Sequence, residues 1–117
     1  MLMLLLGLAF APIQTVPEPT LFDGVFCGAV SEEVEARYRA SAASGGDPRD
    51  VAIADMAKEL AGLADAWTAA HVERHPPTEA ELDSLEEATL SRADLIDAGG
   101  LPALVEELQR CDVLFFR

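Results

Sequence analysis

Apolar side chains recur along most of this chain at alternating steps of three and four, in runs separated by breaks rich in Gly and Pro. That rhythm is the signature of helices with one buried face. Phe26, Cys27, Val30, Val34 and Tyr38 share a face and predict a first helix, capped by Asp23 and running to about Ser44, where "SGGDP" stops it. Asp47 then caps a second helix, with Pro48 at its first position and Asp50 in its first turn. Its stripe is Ile53, Met56, Leu60, Leu63 and Trp67, and "HPP" ends it, because a residue before Pro is pushed out of the helical region. Thr78 and Glu81 have capping-box spacing and open a third helix, with Leu82, Leu85, Thr89, Ala93 and Ile96 on one face. Gly99 and Gly100 supply a left-handed stop, with Leu101 placed for the contact that often follows one. Pro102 starts a fourth helix whose inner side is Leu101, Leu104, Val105, Leu108, Cys111 and Phe115. No segment alternates with a period of two. The expected fold is therefore all-α, a small up-down-up-down four-helix bundle in which short connections make consecutive helices antiparallel neighbours.

The first residues break the rhythm. Met1 to Ala11 is a continuous apolar run, shorter than the roughly 20 residues a membrane helix needs, and its length suits the core of a signal peptide. Ala9 and Ala11 have the spacing of a cleavage site. Against this stand the lack of any Lys or Arg before the run and Pro12 just after the best cut. A start codon assigned too far downstream would account for the missing bases, and the alternative is an N-terminal arm packed on the domain. The chain divides into residues 1–15 as signal peptide or apolar segment, 16–22 as a Pro-containing linker, and 23–117 as the helical domain. No stable membrane span is expected after processing.

The two cysteines change the picture most. Cys27 lies near the start of the first helix and Cys111 near the end of the fourth, each on its buried stripe. In an up-down-up-down bundle those places meet at one end. A disulfide joining helix one to helix four is expected, with two buried free thiols as the alternative. Disulfides persist in oxidising compartments, so the pair and the apolar start together point to a periplasmic or secreted protein; the alternative is cytoplasmic.

Charge narrows the partners. With 21 acids against eight bases the formal net charge is −13, and every one of these residues follows Pro17. Nucleic acid and anionic membranes would repel such a chain, whereas a basic protein would not. Glu79, Asp83, Glu86 and Glu87 form a stripe on the third helix away from Leu82 and Leu85. It reads as a solvated face or as a docking face for a basic partner. Phe116 points to a different side of its helix from Phe115 and is a second candidate contact.

Chemistry-bearing groups are few. His71 and His75 stand four apart on a helix, the spacing of two ligands on one metal. Glu73 is off that face, and Val72 stands where a zinc-protease pattern requires Glu. The alternative is that histidines near a helix C-terminus are favoured by the helix dipole. No catalytic triad, phosphate loop or haem motif is present in the sequence, and no cofactor is implied. The architecture is similar, at fold level only, to that of periplasmic helpers such as acid-stress chaperones and immunity proteins. The expected function is a non-catalytic, exported acidic module that binds another protein. The alternative is a small-ligand or metal carrier using His71 and His75, and an enzyme is the third choice.

Overall fold

The structure, a computed structural model, describes residues 18–116. The expectations for the apolar start and its cleavage site lie outside the described residues. Four helices follow one another: α1 (Leu21–Ala43), α2 (Arg49–Arg74), α3 (Glu79–Gly99) and α4 (Leu101–Phe115). They run up, down, up and down, with no strand among the described residues. No helix among them is long and apolar enough to cross a membrane.

The helix ends follow local chemistry. Thr20, not Asp23, caps α1: its hydroxyl accepts from the Asp23 N–H at 3.2 Å while the Asp23 carboxylate accepts from the Thr20 N–H at 2.9 Å. The helix thus begins two residues before the expected cap, because Asp at the third helical position completes a capping box. Asp47 accepts from the Arg49 N–H at 2.8 Å at the head of α2. Thr78 and Glu81 form the expected box on α3. Gly100, at φ 72°, makes the left-handed turn into α4.

α1 buries the face its spacing foretells: Phe26, Cys27, Val30 and Val34 are buried and Tyr38 is half-buried. α2 does not. Met56 and Leu63 are 40% and 39% exposed, while Ala54, Ala57, Ala61 and Ala64 are buried beside Leu60. The helix is rotated by roughly a quarter turn from the stripe of its large side chains, given about 100° per residue. The reason lies on the facing helix, where Gly24, Gly28 and Ser31 are buried. A Cβ on Gly28 would sit 2.6 Å from the Asp65 carboxylate, and one on Gly24 would run into Trp67 and the Thr68 hydroxyl. Small residues on both sides let the two backbones approach closely, and that contact, rather than the bulkier stripe, sets the orientation. At the upper end of this hairpin the Ser41 hydroxyl donates to the buried Asp50 at 2.7 Å.

α1 and α4 each pack against all three other helices, whereas α2 and α3, consecutive in the chain, do not pack on one another. The bundle is therefore a rhomb with α1 and α4 on its short diagonal. Cys27 and Cys111 are bonded across that diagonal, both fully buried, with Cα atoms 5.6 Å apart. Beside them Arg110 bonds Asp23 and Glu107, each at 3.0 Å, and Glu107 also takes Arg92 from α3. Burial alone would lower the Arg110 pKa, but its bonds to Asp23 and Glu107 outweigh that and raise it, so it is a fixed cation. Arg92 lies 5.7 Å from the centres of both the Phe22 and Phe26 rings.

α3 is the least embedded helix. Its expected inner face does turn toward α1, yet only Ile96 is buried. Leu85, Thr89 and Ala93 are half-buried, and Leu82 is 47% exposed. Leu101 of α4, expected inside, is also exposed at 39%.

Candidate functional site

The lower end of the bundle, where α1 begins, α2 ends, α3 begins and α4 ends, gathers most of the unusual side chains. Because α2 and α3 do not close against each other there, an open groove of about 710 Å3 remains between them and the start of α1. Its sides are Leu21 and Phe22 of α1, His71 of α2, and Ala80, Leu85 and Ala88 of α3. A smaller groove of about 250 Å3 lies between α1 and α3 higher up, lined by Phe26, Val30 and Ile96 among others.

His71 is the polar group that ties the lower groove to the core. Its ring stacks on Trp67 with centres 4.7 Å apart and planes 14° from parallel. Trp67 in turn meets Phe115 edge-on at 5.9 Å. Trp67, expected on the inner stripe of its helix, is half-buried. His75, just past the end of α2, keeps its N–H on the His71 carbonyl at 2.8 Å, and the two imidazole centres lie 5.1 Å apart. The spacing therefore does bring the two histidines together. Glu81, in the first turn of α3, lines the same groove as His71. The Thr78 backbone N–H and hydroxyl hold the Glu81 carboxyl below the ordinary glutamate range. Among the described residues no cluster of three or more His, Cys, Asp or Glu is arranged to hold a metal.

The second candidate surface is the outer side of α3. Glu79, Asp83, Glu86 and Glu87 are all exposed there, as their spacing requires. Asp94 and Asp97 continue the acidic line. The sequence reading missed the apolar members of this face. Leu90 is 61% exposed and stands four residues from both Glu86 and Asp94, so its spacing already put it among the acids. Leu82, counted as core, stands at the edge of the same face because α3 does not settle deeply onto α1. Phe116 is exposed and Phe115 packs on the core, so the two do point apart.

Compared with known protein families, characterised proteins and solved structures, the chain matches none.

Proposed function

We propose that this chain is a non-catalytic, exported module that binds a basic, partly apolar segment of another protein on the outer side of α3, in a chaperone- or immunity-like role. One observation carries the reading: Leu90 stands exposed among six carboxylates of α3 with Leu82 at their edge, and the base of that helix, Arg92, is turned to Glu107. Solvation alone explains the carboxylates but gives no reason for two leucines among them. An interface of this kind combines apolar anchors with complementary charge, the anchors supplying affinity and the charge steering and orienting the partner. The disulfide is compatible with the oxidising compartment that export provides.

The test is affinity capture from the cell-envelope fraction with three oxidised baits. These are the native chain, a triple variant Glu79→Lys, Asp83→Lys and Glu86→Lys, and a single variant Leu90→Asp. A protein held by the first and released by both variants is the expected result. A partner held equally by all three, or no partner at all, would sink the proposal. Export is tested separately by intact mass after fractionation: a bonded protein in the periplasm or medium is expected, and a cytoplasmic protein with two free thiols would overturn it.

A further inference from the structure

We propose that His71 and His75 are the two protein ligands of an exchangeable site for a divalent transition cation, of the Cu2+, Ni2+ or Zn2+ class, at the lower end of the bundle. This inference uses none of the residues on which the protein-binding proposal rests.

The ring geometry carries it. Metal–imidazole bonds are about 2.05 Å and the ring centre lies about 1.1 Å behind the nitrogen, so two imidazoles at a tetrahedral angle on one ion have centres about 5.2 Å apart. The centres here are 5.1 Å apart, with planes 42° from parallel. The His75 N–H on the His71 carbonyl fixes the backbone of one ligand, and the stacking of His71 on Trp67 fixes the ring of the other. Rotation of the exposed His75 side chain aims its nitrogen at the same point as that of His71.

The surroundings agree in sign. Both residues sit at the C-terminal end of α2, where the helix dipole favours a cation. Glu81 on α3 adds a negative charge in the same groove as His71, and among the described residues Arg74, in the same last turn, opposes it. With two protein ligands, the remaining coordination positions belong to water or to a donor on a docked molecule, which makes the site exchangeable rather than structural. Imidazole also gives selectivity. Carboxylates across this acidic surface attract Mg2+ and Ca2+, whereas nitrogen ligands favour Cu2+, Ni2+ and Zn2+.

Trp67 is the chain's only tryptophan and touches one ligand, so its fluorescence reports the site directly. The experiment titrates the oxidised chain with Cu2+ in excess Mg2+, following Trp67 quenching and stoichiometry by calorimetry. One ion per chain is expected, and His71→Ala or His75→Ala should each weaken binding at least about tenfold by removing one arm of the chelate. Zn2+ should raise the melting temperature of the native chain and not of the double variant, because a ligand bound only to the folded state stabilises it. Circular dichroism checks that the variants remain helical; if His71→Ala loses helicity, His75→Ala, whose ring is exposed, decides the matter. Equal affinity for the native chain and His75→Ala, loss of the signal in Mg2+, or no quenching at all would each overturn the proposal.

Discussion

Replacing both Cys27 and Cys111 by Ala should remove about 4–5 kcal/mol of stability. The bond links residues 84 apart in sequence. Closing a loop of that size lowers the entropy of the unfolded chain by about 15 cal/mol/K, or about 4.6 kcal/mol at 25 °C. Both side chains are fully buried, so truncating the sulfurs adds a smaller packing loss. The sum is comparable with the whole net stability of a small domain, about 5–15 kcal/mol. Alanine is the replacement to use, since serine would place two hydroxyls in an apolar interior. The assay is urea unfolding followed by circular dichroism at 222 nm, with native and double-variant chains compared at one pH. Two changes are expected together. The midpoint falls, and the slope of free energy against urea steepens, because the unlinked chain exposes more surface when it unfolds. A variant already unfolded in water sets the loss at no less than the native chain's own stability, read from the same urea curve. A loss below about 1 kcal/mol with an unchanged slope would refute the reasoning, since the bond would then not be restraining the unfolded chain.

Two other predictions test separate parts of the structure. Ala57→Leu should cost about 1–3 kcal/mol by forcing the close α1–α2 contact apart, while Met56→Gln, on the exposed side, should stay within about 0.5 kcal/mol; the reverse order in urea melts would return α2 to the face its large side chains suggest. The Thr78 N–H holds Glu81 below its ordinary pKa of 4.5, and Arg49 holds Asp47 below 3.8. A carboxyl with a depressed folded-state pKa contributes stability that is present above its unfolded value and lost as pH falls through the folded one. Melting temperature should therefore fall on acidification from about pH 5 to about pH 3. Glu81→Gln with Asp47→Asn should flatten that limb, because an amide oxygen still accepts the cap hydrogen bond but does not titrate; an unchanged limb would show that these caps do not set the acid response.

Much of the fold was legible because its cues are local. Capping boxes, the Gly99–Gly100 stop and the Pro breaks act through residues within a few positions of each other. Helix number and helix ends followed from them with shifts of up to three residues, as where Thr20 rather than Asp23 is the cap. The cysteine pairing was legible for a related reason: two buried positions at opposite chain ends share one end of an up-and-down bundle. The histidine pair and the acidic stripe also followed from the helical repeat, and the same repeat carried the signal for Leu90, which was overlooked.

Three things needed the tertiary structure. The buried face of α2 depends on how near another backbone can come, and that is decided by Gly24, Gly28 and Ser31 on a different helix. The separation of α2 from α3, which opens the lower groove, reflects competition among all four helices for the α1–α4 diagonal where the disulfide and the Arg110 ion pairs lie. The exposure of Leu82 follows from the same competition. Sequence by itself determined where this chain turns and which residues can share a face, because those depend on short-range sterics and hydrogen bonds. Which face is buried, and which apolar residues are left exposed, was settled only by the packing of distant segments, since burial is a property of what lies opposite.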